Sequence, residues 1–259
     1  MVATFRFYAE LNDFLPPSRR FVSFKHTFRG NPSVKDTIEA LGVPHTEIDL
    51  ILVNGESVDF TFKLHDGDRV SVYPIFESID ITPLVRVRPE PLREIRFVLD
   101  THLGRLASYL RMLGFDTLYN NECDDESLAR IASEEMRILL TKDRGLLKRN
   151  MVTHGYCVRG KHPREKLVEV IRRFDLGELA QPFHRCIRCN GLMEDATKDE
   201  VLDSLPPRVA EAHNEFRRCG SCYQVYWKGS HYDRMQQFLD HVLREGRSAS
   251  YPRLNSSTF

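Results

Sequence analysis

No apolar run in the chain approaches the roughly 20 residues that span a bilayer, which excludes a helical membrane span from the reading. The opening stretch, MVATFRFYAELNDFL, lacks the basic, then apolar, then small-residue order of a secretory signal, so a cytoplasmic setting is the expectation. Net charge is missing too, since 37 basic residues balance 37 acidic ones. Cysteine is sparse, at six in 259 residues, and in a reducing compartment these do not make three disulfides.

What is present describes an ordinary folded chain. Hydrophobic residues make up 41% and charged residues 29%, enough for a real core, and the length suggests about two domains. The charge is unevenly spread. Residues 1–80 hold 8 basic and 12 acidic side chains, whereas 81–182 hold 18 and 15. That asymmetry points to a polyanion partner for the middle region; solvated faces account for it equally well.

Residues 1–80 alternate as strands do in TFRFYAEL and FVSFKHTF, and the spacing predicts a helix from about Ser33 to Leu41. Asn54-Gly55 and Asp66-Gly67 are turn signals between the later strands, IDLILVNG, SVDF and DRVSVYPIF. The pattern reads as a small α+β sheet with a helix on one face. With its LVNGESV and LHDGDRVSVYP segments, it resembles the β-grasp, ubiquitin-like family, and the small sulfur carriers in particular. Those carriers end in an activated Gly-Gly tail. Here the corresponding stretch runs on as FESIDITPLV, which argues against sulfur transfer and leaves a module that docks a protein partner.

Residues 81–94 read as a linker, with three prolines in ITPLVRVRPEPLR. From residue 95 to 182, strand and helix patterns repeat. EIRFVLD, FDTLY, MRILLT and GYCVRG are strands, and Leu103, Leu106, Ala107, Leu110 and Leu113 recur at helical spacing before Gly114. Asp125 is placed to cap the next helix, and Pro163 opens a later one that Gly177 closes. Repeated strand–helix units imply a parallel sheet.

In such sheets, functional groups collect beyond the carboxyl ends of the strands. Asp100 stands at that end of the first strand, Asp143 just past the third, and Asp124 and Asp125 after the second. Carboxylates gathered there repel one another, and a hard cation such as Mg²⁺ or Mn²⁺ relieves the repulsion and activates water for phosphodiester cleavage. Each aspartate also stands where a helix can begin, so capping is the competing reading for any one of them. Arg105, Arg111, Lys142, Arg144, Lys148 and Arg149 flank the acids and are candidates for phosphate contact. Arg105 and Arg111 suit the solvated side of their helix equally well. Thr141 and His102 stand near the same rim.

Cys186-Ile-Arg-Cys189 and Cys219-Gly-Ser-Cys222 form two knuckles that together present four thiolates, the donor set of a closed structural Zn²⁺ site. Gly191 and Gly220 suit the sharp turns beside them. The long spacing between the pairs predicts an insertion, roughly 195–214, looping out as a helix. A redox dithiol needs one such pair beside a thioredoxin-like strand and helix, and neither is evident. Tyr223, Tyr226 and Trp227 follow the second knuckle, with Lys228 and His231 behind. They make either a miniature core, the favoured reading, or a stacking surface for unpaired RNA bases. Asp233 to Leu243 reads as a last helix, closing a ribbon region of 183–245, and 246–259 as a disordered tail.

The segments LDTHLGRLASYLRMLGFDTLY, DDESLARIA, RILLTKDRGLLKR, PREKLVEVIRRFDL, RCIRCNGLM and EFRRCGSCYQVYWKGSH resemble the Mut-seven C-terminal RNase family over about half the chain. The resemblance implies a multidomain α+β and α/β chain: a ubiquitin-like β-grasp domain, a PIN-like parallel α/β nuclease domain and a four-Cys zinc ribbon. It implies an acidic site of Asp100, Asp125 (with Asp124 as understudy) and Asp143. One departure is visible. His162 stands where such sites often place a fourth acid, leaving Glu165 as a poor substitute. The leading expectation is a Mg²⁺- or Mn²⁺-dependent endoribonuclease of RNA processing or decay. A noncatalytic RNA-binding or ribosome-associated adaptor is the rival, and a protein–protein scaffold the third.

Overall fold

In the computed structural model the described residues are 1–74, 87 and 94–247. The expected linker and tail lie almost wholly outside them. The chain forms two compact units, one of residues 1–102 with 120–157, the other of 103–119 with 158–259. The segment 95–182 contributes to both units.

In chain order the elements are β1 (Val2–Phe7), β2 (Phe24–Thr27), α1 (Val34–Ala40), β3 (Ile48–Val53), β4 (Glu56–Ser57), β5 (Arg69–Pro74) and β6 (Phe97–Leu99). Then follow α2 (Gly104–Met112), β7 (Thr117–Tyr119), α3 (Asp125–Glu134), β8 (Ile138–Thr141), α4 (Arg144–Leu147), β9 (Gly155–Cys157) and α5 (Pro163–Arg173). The last are β10 (Met193–Ala196), α6 (Lys198–Val201), α7 (Pro207–Ala212), β11 (Phe216–Cys219), β12 (Val225–Trp227) and α8 (Ser230–Arg247).

In the first unit, five strands form a sheet in the order β2-β1-β5-β3-β4. Its central pair, β1 and β5, is parallel, and the other pairings are antiparallel. Along β1, Ala3, Phe5 and Phe7 are buried and alternate with more exposed neighbours, as a half-buried strand requires. Ser33 caps α1 by accepting from the Asp36 amide, and Asn54-Gly55 turns β3 into β4 with φ of 54° and 94°. Both features match the sequence reading.

The same unit holds β6, β8 and β9, paired in parallel. Every residue of the three is buried, as expected for parallel strands covered on both faces. Leu99 lies opposite Leu140, and Thr141 opposite Cys157, so the strands end together. The helix after β8 is only one turn long.

In the second unit, α8 lies against α5, with Arg164 paired to Glu245 at 2.6 Å and Arg172 donating to the Glu245 carbonyl at 2.8 Å. Tyr109 of α2 and Phe238 of α8 meet at 4.8 Å between ring centroids. The strands β10, β11 and β12 make a three-stranded antiparallel ribbon.

Three predictions about these elements change. Gly177 does not close α5: the helix ends at Arg173, Asp175 takes the left-handed conformation at φ 47°, and the Leu176 amide bonds back to the Ile171 carbonyl. An aspartate thus fills the position that glycine usually takes in this helix stop. The insertion after β10 is two short helices and not one, because Pro206 and Pro207 break the run and Pro207 starts α7. The last helix is longer at both ends than Asp233 to Leu243.

The Ser33 cap gives a direct stability test. Replacing Ser33 with Ala is expected to lower unfolding free energy by about 1 kcal/mol, read from the urea midpoint at unchanged slope.

Candidate functional site

The acidic end of the first unit is built by the strand ends. Asp100 directly follows β6 and is only 6% exposed. Its Oδ1 accepts from the His102 amide at 2.9 Å, and its Oδ2 from the Lys142 amide at 3.1 Å and from the Thr141 hydroxyl. Thr141 Oγ1 in turn accepts from the Asp143 amide at 2.8 Å. The buried threonine therefore links the two aspartates by hydrogen bonds. A carboxylate has about four acceptor positions, and three at Asp100 are taken. Asp143 is exposed and caps α4, its Oδ1 accepting from the Gly145 amide at 2.6 Å.

Asp124, not Asp125, caps α3. Its Oδ1 accepts from the Ser127 amide at 2.7 Å, and that bond holds its carboxyl below the usual range. Asp125 is the first residue of α3 and is exposed. Asp100 and Asp143 are joined through Thr141, whereas among the described residues no hydrogen bond joins Asp124 or Asp125 to them. Among the described residues, the group of three or more possible ligand side chains that lie within 4.8 Å of one another is formed by cysteines, not by these acids. His102 sits beside the acidic end, its Nδ1 3.8 Å from Asp100 Oδ1. Glu165 accepts from the Lys161 and His162 amides, within the start of α5.

The candidate phosphate-binding cations divide. Arg105 and Arg149 are exposed. So is Lys142, whose amide serves Asp100. Arg111 is a correction: it is 6% exposed, and its guanidinium donates to the carbonyls of Thr117 (2.9 Å), Ile187 (3.2 Å) and Arg188 (3.0 Å). Burial lowers its pKa, and nearby Cys189, Cys186 and Asp116 oppose that. Inside the second unit it organises backbone and presents nothing to a phosphate. Arg144 lies over the Phe14 ring at 4.8 Å, and Lys148 donates to the Glu39 carbonyl at 2.5 Å. Lys228 pairs with Glu215 at 2.7 Å, whose carboxylate raises the lysine pKa, and His231 is exposed at the start of α8.

The four cysteines of the two knuckles do converge. Cys186 Sγ lies 3.7 Å from Cys222 Sγ, and Cys189 Sγ 3.4 Å from Cys219 Sγ. All four sulfurs lie within 4.8 Å of one another. Four thiolates about 2.3 Å from one tetrahedral ion would stand about 3.8 Å apart, so the set fits a single metal ion. Burial pushes the Cys186 thiol up, and the Tyr226 hydroxyl with the Cys189 and Arg188 amides outweighs it, bringing it down to about 7. Burial drives Cys189 up to about 12.

The turns differ in detail from the prediction. The residue after each knuckle, Asn190 and Tyr223, takes the positive φ, at 72° and 59°. Gly191 is required for a different reason: a Cβ there would stand 2.5 Å from Ser221 Oγ and 2.8 Å from Cys219 Sγ. The sequence reading missed Asn190, which fixes the first knuckle by accepting from the Thr117 amide at 2.9 Å and donating to Asp116 at 2.8 Å. Two small cores back the ribbon. Tyr226 packs with Cys186, Met193 and Cys219, while Trp227 packs with Val201, Phe216 and Val225. Tyr223 alone of the three aromatics is largely exposed.

The family described as "Mut7-C RNAse domain" matches residues 95–239, and the one described as "Mut7-C ubiquitin" matches residues 1–80. No curated protein matches the chain. Among solved structures, SAMP1 from Haloferax volcanii is similar at 18% identity, covering 30% of this chain and 100% of its own, with a TM-score of 0.25. No helix among the described residues is long and apolar enough to cross a membrane.

Arg111 separates a structural from a phosphate-binding role. Arg111→Met is expected to destabilise the protein by about 3 kcal/mol, because three carbonyls lose their donor. An unchanged urea midpoint together with weakened RNA binding would restore the phosphate reading.

Proposed function

This chain belongs to the Mut7-C RNAse domain family, and from that membership we propose that it is a divalent-metal-dependent endoribonuclease acting in RNA processing or decay. The observation that carries the metal-dependent part is the hydrogen-bonded run Asp100–Thr141–Asp143 at the shared end of β6 and β8. Asp100 and Asp143, with Asp125 or Asp124 approaching from the start of α3, would hold Mg²⁺ or Mn²⁺. Bound there, the ion would activate water and stabilise the leaving oxygen of a phosphodiester. Asp100 is suited to be the fixed ligand, because burial and three donors hold its carboxylate in one orientation. Asp143 is suited to be the adjustable one: a single capping bond holds it, and its Oδ2 accepts nothing among the described residues. Lys142, Arg149 and Arg105 are exposed cations suited to RNA phosphates, a contribution that weakens as salt rises.

The four-cysteine set would hold Zn²⁺. A closed thiolate site leaves no position for water, so its role is to fold the ribbon. The ubiquitin-like segment, residues 1–80, would provide contacts to protein.

A second reading has its own support. Asp124 and Asp143 both cap helices, which suits a noncatalytic RNA-binding adaptor in which the acids are structural.

Cleavage of a labelled RNA distinguishes the two. Asp100→Asn and Asp143→Asn are each expected to lower Mn²⁺-dependent cleavage more than about a hundredfold, beyond what outer-shell changes cost, with the thermal melt intact in Asp143→Asn, whose side-chain oxygen can still cap α4. If the wild type cuts no faster than the double variant, the nuclease proposal is lost. Retained RNA affinity that falls with added salt would then favour the adaptor. Native mass spectrometry is expected to find one zinc per chain. Cys219→Ser is expected to lose it and to lower the melting temperature, and a full-length protein equally stable without metal would remove the structural role.

A further inference from the structure

The N-terminal segment and the acidic end belong to one unit, and polar contacts between them fall on α4, which Asp143 caps, on the loop after it and on β9. At the start of α4, the Arg144 guanidinium lies over the Phe14 ring and donates to the carbonyls of Phe14 (3.3 Å) and Asp13 (3.5 Å). Just past its end, Lys148 Nζ donates to the Glu39 carbonyl. Both ends of the helix are therefore held from the N-terminal domain.

The Glu47 contact on β9 and the His45 contact on the loop before it are buried. Glu47, with no exposed surface, accepts from the Cys157 amide at 2.6 Å, and Cys157 lies opposite Thr141. His45 Nε2 meets the Val152 carbonyl at 2.8 Å, and its Nδ1 meets Glu39 Oε1 at 2.6 Å. A carbonyl only accepts, so Nε2 is the donor, and the Nδ1 contact then needs a proton of its own. A carboxylate and an imidazole are this deeply buried only where their partners are built in. An exchangeable docking module would keep such groups on its surface.

We infer that the N-terminal domain works in cis, as the positioning partner of the Asp143 loop. Phe14, Glu39, His45 and Glu47 hold α4 and β9, and thereby keep Asp143 fixed relative to Asp100. This rests on the proposed role of the two aspartates, but the ordering of the loop is measurable without any cleavage. The face carrying these four residues has this chain's own nuclease segment as its partner. Any separate protein must use another face.

The full-length chain is compared with two variants. Phe14→Leu keeps the apolar bulk and removes the ring under Arg144. Glu47→Met keeps the length and removes the acceptor for Cys157. Asn54→Ala is the control, because it weakens the β3–β4 turn of the same domain and touches none of these contacts. Amide exchange is expected to quicken about tenfold over 143–148 in Phe14→Leu and over 155–157 in Glu47→Met, beyond the change in the control. The kcat for Mn²⁺-dependent cleavage is expected to fall about 10- to 100-fold in both, with KM for RNA within about twofold. Wild-type protection of 143–148 and 155–157 in both variants would overturn the inference, as would exchange raised only in step with the control. If the wild type does not cleave at all, the nuclease proposal fails, and exchange alone still decides this one.

Discussion

The register between β6 and β8 is the constraint on which the acidic end depends. Because Leu99 stands opposite Leu140, the next residues, Asp100 and Thr141, meet, and the threonine hydroxyl passes the connection on to Asp143. A slip of one residue would turn the Thr141 side chain to the other face of the sheet and break both links at once. Asp143 then caps α4, and Phe14 and Glu39 contact the two ends of that helix. Burial on both faces leaves the apolar residues of these strands indifferent to such a slip, so the polar links of Asp100 with Thr141 and the Lys142 amide help to set the register.

The second unit is organised around a cation of a different kind. Arg111 reaches the backbone of the first cysteine knuckle from α2, and Asn190 reaches back to Asp116 and Thr117. A three-stranded ribbon buries too little apolar surface to be stable alone. Its two small cores, the set of four thiols and these polar ties to α2 and β7 make up the difference. The four-cysteine ribbon is thus tied to α2 and β7 and is not an appended module.

The legible features were those whose physics is local. The Ser33 cap, the Asn54-Gly55 turn, the strand identities and the paired cysteine knuckles each depend on neighbours a few residues away. Arg111 was readable in part: it follows Leu103 and Ala107 at intervals of four, on the apolar stripe of its helix, where a guanidinium must find buried acceptors. Its partners near residue 187 gave no sign. Glu47 is harder still, since its partner Cys157 is 110 positions away. An acid beside the apolar run IDLILV was the available hint. The capping role fell to Asp124 and not Asp125 because two adjacent acids offer the same side chain and only the helix phase chooses between them.

The interleaving of segments has a consequence for dissecting this molecule. The polypeptide passes from one unit to the other after residue 102, back after 119, and across again after 157. No single cut releases either unit whole, and a contiguous fragment spanning 95–182 would contain part of each and all of neither. Shortened versions of the gene will therefore misreport what the segments do, and point substitutions in the intact polypeptide are the sound route to assigning their roles.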